Sequence, residues 1–421
     1  MGWRKGHRRR RTITSAAVLS GLLVTIPACA GVQGANMGTG AAPAQNEDAV
    51  QEAREAQEAN ALPRDEFYTG DVEAGDPGTL ARSEAFDGWE ALGDNAVGNR
   101  MVYRSLDSNG EPSVASAAVV TPDGTPPEGG WPVVAWAHGT SGVSPDCAPS
   151  LMKDLYYGDL VQALVDRNYA VVATDYSGLG AGEAHEYDTM TPNANDVRYS
   201  VSAAREAVDG LSERWVSMGH SQGGQAAWGA ARQQADDPVG EMVGAVAYAP
   251  AAPIIDSIRE VDDAPGSGAY APYVAYSLNL QYPDEIEPGD VLSDAALEHY
   301  DEITQEACLA LAVEISGEAT PSEYFRDGWD ENPVVQRFQE DNIYSDQQLG
   351  APLFAATGSE DTAVPARLIE EAAQEQCSHD TAVQYQEYPG DHDGMMDAAS
   401  SDAMQWVQDR FDGKDAPSNC E

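Results

Sequence analysis

From residue 131 onward, short apolar runs alternate with longer stretches of helical periodicity. Trp131–Ala137, Ala170–Thr174, Arg214–Met218 and Met242–Tyr248 each read as a buried strand. Between them, Leu151–Arg167 (with Leu155, Leu160, Leu164 and Val165 among its apolar positions), Val197–Leu211 and Gln222–Gln234 read as helices. Strands without polar alternation, separated by helices, predict an α/β fold with a mostly parallel central sheet covered on both faces. Upstream, Asp65–Gly70 with Phe67 and Tyr68 starts the ordered part. Arg100–Leu106 and Ser113–Thr121 alternate around Asp107-Ser108-Asn109-Gly110, a turn signal, and predict a hairpin.

The alternation stops after Ala249-Pro250. Residues 254–346 are acidic, Tyr-rich and helical where a period shows. Tyr270, Tyr273, Val274, Ser277 and Leu278 recur at helical spacing, with Pro272 near the start where a helix tolerates it. An insertion of this size predicts a helical cap over the C-terminal edge of the sheet. Most of its aromatics would form the cap's own core, and some would line a ligand pocket beneath it. The sheet pattern then resumes: strand Ala351–Ala356, helix Val364–Gln376, strand Ala382–Tyr388 and helix Asp397–Phe411.

A length of 421 residues fits one large α/β domain with an insertion. Its start is different in kind. Arg4, Lys5 and Arg8–Arg11 precede an apolar stretch, Ala16–Ile26, of signal-peptide length and too short to span a bilayer. Residues 1–30 are therefore expected to direct export, to the medium or to the cell surface. Ala28-Cys29-Ala30 fits a signal-peptidase site. Ile26-Pro27-Ala28-Cys29 resembles a lipobox, which would leave an N-terminal lipid anchor on Cys29. The Arg run also loosely resembles a twin-arginine signal. Residues 31–62 read as a flexible tether followed by an exposed helix, Glu47–Leu62, ended by Pro63; the α/β domain with its insertion would span 63–421.

Cysteine count agrees with export. Without Cys29, the remaining Cys147, Cys308, Cys377 and Cys420 are an even number, which suggests two disulfides with three connectivities open. The alternative is four buried thiols.

Charge narrows the partners. The chain has 23 Lys+Arg, six of them in the leader, against 70 Asp+Glu, so the processed chain carries −53, with Lys153 and Lys414 its only lysines. That sign excludes nucleic acid and anionic membranes as partners. It suggests a protein adapted to saline surroundings, where salt screens the self-repulsion; an ordinary acidic secreted protein is the alternative.

The chemistry centres on Gly219-His220-Ser221-Gln222-Gly223-Gly224. Gly-x-Ser-x-Gly between a strand and a helix is a nucleophile elbow, with Ser221 at the tip and glycines where a Cβ would strike the neighbouring strand and helix. A serine hydroxyl needs a base oriented by a carboxylate, and in this topology these follow in the order Ser, acid, His, each past the end of a strand. Asp361 and His392 occupy those positions. Glu360 is a rival acid. His379 precedes its strand, while His185 and His299 fall too early in the chain. Asp391 and Asp393 flank His392 and read as solvated loop residues; His220 reads as packing beneath the turn. The backbone N–H of Gln222 and that of Thr140, in the loop His138-Gly139-Thr140-Ser141-Gly142, are the candidate oxyanion donors, with the Thr140 hydroxyl as a further one. With no metal cluster, phosphate loop or dinucleotide fingerprint in the sequence, no cofactor is expected.

Several stretches together resemble the secretory lipase family of α/β-hydrolases, found in yeasts and actinobacteria. They are Phe67-Tyr68, Pro77-Gly78-Thr79, His138-Gly139-Thr140 followed by Asp146-Cys147-Ala148-Pro149-Ser150, Asp175-Tyr176-Ser177-Gly178-Leu179-Gly180, and Gly219–Gly224. The resemblance runs from about residue 65 to the C-terminus. It implies hydrolysis of carboxylic esters, triacylglycerols included, beneath a helical lid, by a Ser221/Asp361/His392 triad. It implies that Thr140 helps form the oxyanion hole, although some members carry an acidic residue there. It also implies the pairings Cys147–Cys308 and Cys377–Cys420. The expected partner is a small-molecule or lipid ester. A peptidase or acyltransferase on the same scaffold, or a silent binding protein, are the alternatives; oligomeric state carries no sequence signal.

Overall fold

The computed structural model describes residues 46–420. The export leader, Cys29 and the tether up to residue 45 lie outside the described residues. Nine strands form one sheet: β1 (Leu80–Ala85), β2 (Ala96–Leu106), β3 (Pro112–Pro122), β4 (Trp131–Ala137), β5 (Ala170–Ser177), β6 (Leu211–His220), β7 (Glu241–Tyr248), β8 (Leu353–Gly358) and β9 (Val383–Tyr388). Their order is β1-β2-β3-β5-β4-β6-β7-β8-β9. The first three strands and the β3–β5 pair are antiparallel; every pair from β5 to β9 is parallel. The expected hairpin is β2–β3, closed at Leu106 and Pro112. Along β4 the side chains divide cleanly between two cores. Val133, Ala135 and Ala137 join one, Val134 and Trp136 the other. Apolar residues on both faces are why these strands show no polar alternation.

Several boundaries differ from the sequence reading. The helix expected over 151–167 is confined to Gly158–Val165. Leu155 and Tyr156 turn left-handed (φ 56° and 59°), so Leu155 reaches the core from a loop. The helix expected from Val197 begins at Met190, with Pro192 in its first turn, where no N–H is required of it. Leu211 belongs to β6. The last helix starts at Gly394. Strand β1 was not anticipated.

Between β7 and β8, helices from Ile254 to Asp341 surround a core of their own that includes Tyr273, Leu278, Leu311 and Phe338. The N-terminal helix, Glu47–Asn60, has no buried residue, in keeping with the exposed helix the sequence suggests, yet it is docked on the insert. Its Val50 and Ala53 pack on that core, Arg54 pairs with Glu302 at 2.5 Å, and Gln57 donates to the Glu306 carbonyl while accepting from the Cys308 N–H. Disulfides join Cys147 to Cys308 and Cys377 to Cys420.

Candidate active site

Strand β6 runs into Ser221, whose backbone sits at φ 56°, ψ −123°, and the helix Gln222–Gln233 leaves immediately after it. This is a strained region for a residue with a Cβ. The surroundings hold it: the Ser221 N–H donates to the Tyr248 carbonyl at 2.9 Å, and its carbonyl accepts from Ala251 at 3.0 Å. A Cβ on Gly219 would lie 2.0 Å from the Gly223 carbonyl oxygen, and one on Gly223 would lie 2.0 Å from that of Ala137. Both glycines are therefore steric requirements of so tight a turn.

Asp361 follows β8 and His392 follows β9, and the structure brings them together. His392 Nδ1 donates to Asp361 Oδ2 at 2.8 Å. The other oxygen, Oδ1, accepts the N–H groups of Ala363 (2.9 Å) and Val364 (2.8 Å), and the carboxylate is shut off from solvent. With its proton committed at Nδ1, the neutral imidazole carries its lone pair on Nε2. His392 and Ser221 line the same cavity.

His220 lies beneath the turn, as expected, and also supports the base. Its Nε2 donates to the His392 carbonyl at 2.9 Å, so its Nδ1 must accept from the Tyr157 hydroxyl, also at 2.9 Å. Burial, reinforced by His392 nearby, lowers its pKa to about 3 and keeps it neutral. The rivals are elsewhere. Glu360 is exposed, His379 faces Glu375 at 3.3 Å, and His299 is on the helix Asp294–Gln305. Asp391 accepts from the Gly394 N–H, and Asp393 is a solvent-exposed residue 4.0 Å from His220.

Thr140 and Gln222 both reach the cavity that Ser221 lines. The Thr140 hydroxyl pairs with the Tyr187 hydroxyl at 2.9 Å, and its carbonyl accepts from Tyr156 at 2.6 Å. When Tyr187 donates, the Thr140 hydrogen is left for a ligand. The Gln222 amide is held from behind, donating to Asn193 Oδ1 (2.8 Å) and to His185 Nε2 (2.9 Å). His185 in turn donates from Nδ1 to the Ser177 carbonyl at 3.2 Å, and burial lowers its pKa to about 3. So His185, set aside as a base, supports the residue after the nucleophile.

The Asp146–Ser150 and Asp175–Gly180 stretches form one buried network. Asp175 accepts from the Ser116 hydroxyl (2.6 Å) and from both the hydroxyl and the N–H of Ser150 (2.6 and 2.8 Å). Tyr176 donates to the His138 carbonyl at 2.9 Å, fixing the start of the Thr140 loop. Desolvation, opposed by the three hydrogen bonds, pushes Asp175 up to about 6.

The insert lines the cavity over Ser221 through Ile254, Ile258, Val261, Val274 and Phe325. Tyr270 and Tyr187 line it, whereas Tyr273 is buried in the insert's core. Asp188 is also on its wall; neither Tyr187 nor Asp188 was singled out from sequence, although both stand in the polar run Glu183–Asp188 directly before a helix. Among the described residues no group of His, Cys, Asp and Glu could hold a metal ion, and no helix is long and apolar enough to cross a membrane.

Comparison with known proteins places this geometry. A family model described as secretory lipase matches residues 156–419, a span that includes Ser221, Asp361 and His392. Lipase 5 of Candida albicans is 25% identical over 351 residues, covering 76% of this chain and 73% of that protein. Lipase 4 of the same yeast is 25% identical over 358 residues, covering 76% and 74%. Among solved structures, lipase A of Candida antarctica in its closed state superposes with a TM-score of 0.71 at 18% identity, over 86% of this chain and 89% of that one. The rice cell wall degrading esterase of Xanthomonas oryzae gives 0.65 at 19% identity, over 81% and 100%. The last two likenesses show an α/β-hydrolase fold.

Proposed function

This chain belongs to the secretory lipase family and is a lipase- or esterase-type ester hydrolase, and we propose that it works through an acyl-enzyme on Ser221. His392 Nε2 takes the Ser221 proton as the hydroxyl attacks the ester carbonyl. Asp361 holds the imidazole in the required tautomer and stabilises the cation that forms. The backbone N–H groups of Gln222 and Thr140 receive the oxyanion, which pre-oriented donors stabilise by a few kcal/mol each. His392 then protonates the departing alcohol, and water repeats the sequence on the acyl-enzyme. The insert from Ile254 to Asp341 acts as a cap whose apolar lining receives the acyl group.

The observation that carries this reading is the left-handed Ser221 sharing a cavity with an imidazole already committed to a buried carboxylate. Replacing Ser221 by Ala should abolish turnover of a p-nitrophenyl ester and labelling by a fluorophosphonate, with the fold intact. Residual activity at the parent level would overturn the assignment, and a parent chain inert to the probe would point to a silent binding protein. Amide substrates and alcohol acceptors separate the peptidase and acyltransferase readings. The family is exported; we propose that residues 1–30 are the leader, with cleavage after Ala30, which removes Cys29, or lipidation at Cys29 as the two outcomes that mass spectrometry of the mature N-terminus distinguishes.

A further inference from the structure

The wall of the Ser221 cavity is apolar where the insert contributes Ile254, Ile258, Val261, Val274 and Phe325. Asp188 breaks that character. It is 6% exposed, it lines the cavity, and its Oδ1 has no hydrogen-bond partner among the described residues. From the insert, the Ser257 hydroxyl lines the same cavity and likewise has no partner. Buried polar atoms in a folded protein are nearly always paired, and an unpaired carboxyl in apolar surroundings is among the costliest exceptions. The Asp188 backbone is also left-handed (φ 52°), a conformation uncommon for residues with a Cβ. Two residues with unpaired polar atoms, from separate elements, border the cavity where the substrate must sit.

We infer that Asp188 is a specificity-determining residue that selects esters whose acyl group carries a hydroxyl, the hydroxyl pairing with the carboxyl that a plain alkyl chain would leave unpaired. This rests on the hydrolase reading of the cavity and goes beyond it by naming a substrate class. Burial alone pushes the Asp188 carboxyl up to about 7. Near neutral pH its protonated form is present, which donates as well as accepts. Its titratable neighbours are Tyr187 on its own loop, Tyr176 in β5 and Tyr344 beyond the insert; none is a cation that would hold it ionised. Ser257, on the same cavity wall, offers a second unpaired hydroxyl as a further hydrogen-bond partner for the ligand. Sites built to bond a substrate hydroxyl reject the analogue lacking it far more strongly than apolar pockets distinguish chain lengths.

The test compares p-nitrophenyl hexanoate with its 2-, 3- and 6-hydroxy derivatives on the full chain at pH 7. At least one hydroxy isomer should exceed hexanoate by about tenfold or more in kcat/KM. Asp188→Gly, which accepts the left-handed backbone and removes the carboxyl, should bring that ratio to about one or below. Asp188→Asn keeps a neutral hydrogen-bonding group of the same shape and should retain most of the preference. Hexanoate outpacing every hydroxy isomer in the parent overturns the inference, as does an unchanged ratio in Asp188→Gly. Should the glycine variant not fold, the parent's substrate series and the asparagine variant decide alone. Absence of any ester turnover by the parent would instead overturn the hydrolase reading.

Discussion

His392 Nδ1 and Asp361 Oδ2 lie 2.8 Å apart, and the second oxygen of the same carboxylate is occupied by two backbone N–H groups. Asp361 therefore orients the imidazole and also folds its own loop. The two duties separate by mutation. Asp361→Asn keeps a side-chain oxygen for the loop but no longer enforces the tautomer; kcat should fall by about 10³–10⁴ with KM little changed. Asp361→Ala should lose the same activity and in addition about 1–3 kcal/mol of stability, from N–H groups left without an acceptor. Steady-state kinetics and thermal melts of the two variants check this. Equal melting temperatures for the two variants would remove the loop-folding role.

Gly223 tests the elbow itself. A single added methyl would meet the Ala137 carbonyl oxygen at 2.0 Å, where backbone on both sides prevents escape. Gly223→Ala should therefore yield insoluble or inactive protein. Gly110→Ala, at a turn with open space around it, should cost about 1 kcal/mol through its positive φ and leave activity alone. Expression yield and ester turnover of the pair are the measurements.

How far the site was legible follows from what each residue's signal depends on. Ser221 and Asp361 stand just past apolar strands, whose ends are visible from hydrophobic runs, and His392 follows the edge strand β9, where Val383 and Tyr385 alternate with Gln384 and Gln386. Gln222 and Thr140 were reachable by the same logic, being one residue past the nucleophile and in the loop after β4. Asp188, Tyr187 and His185 were not, because their roles arise where a polar loop folds under the insert, and periodicity says nothing of loop burial. The early start of the Met190 helix was hidden by Pro192, which ends helices in general and is tolerated in a first turn. Strand β1 is half exposed at the sheet edge and so lacks the apolar run that marks its neighbours. Disulfide pairing followed from family resemblance, since counting four cysteines leaves three arrangements.

The two disulfides should differ in what their loss does. Cys147–Cys308 joins the Thr140 loop region to the insert, beside the Leu309 N–H bonded to the Ser141 carbonyl (2.9 Å) and the Ser144 hydroxyl bonded to the Gln305 carbonyl (2.9 Å). Cys377–Cys420 instead fastens the C-terminal tail, where Asn419 bonds along the edge of β9. Replacing either pair by Ser should cost about 2–4 kcal/mol of stability. Only the Cys147/Cys308 variant should also lose kcat/KM, because only that bridge restrains the oxyanion side of the cavity. Melts and ester kinetics well below the melting temperature separate the two effects; equal kinetic losses would contradict the assignment.

Stability should respond to pH through the buried carboxyls. Burial pushes Asp188 and Asp196 up to about 7, against a value near 3.9 in the unfolded chain. A carboxyl with a raised folded pKa contributes its full stability below the unfolded value and loses it as pH rises through the folded one. Each therefore weakens the fold progressively between about pH 4 and pH 7. Asp188→Asn, which cannot ionise and tolerates φ 52°, should melt close to the parent at pH 4 and several degrees above it at pH 8. A difference that shrank with rising pH would show that Asp188 is ionised and paired in the native protein.

The net charge, −47 on the full chain and −53 without residues 1–30, makes the last prediction. With 17 basic residues outside the leader against 70 acidic ones, most carboxylates have no cation to pair with, so salt screens repulsion far more than attraction. Exposed ion pairs such as Arg337–Glu285 and Lys414–Asp409 contribute little that salt could remove, and pairs with a buried arginine, such as Arg100 with Asp65 and Glu84, are screened less. Melting temperature and activity should therefore both rise as NaCl goes from low concentration toward molar, with most of the gain in the first few tenths molar, where the Debye length shrinks toward the spacing of surface charges. A series in sucrose at matched water activity should not reproduce that early gain, because sucrose does not screen. A steady fall of both quantities with NaCl would mean that the acidic surface is not an adaptation to saline surroundings.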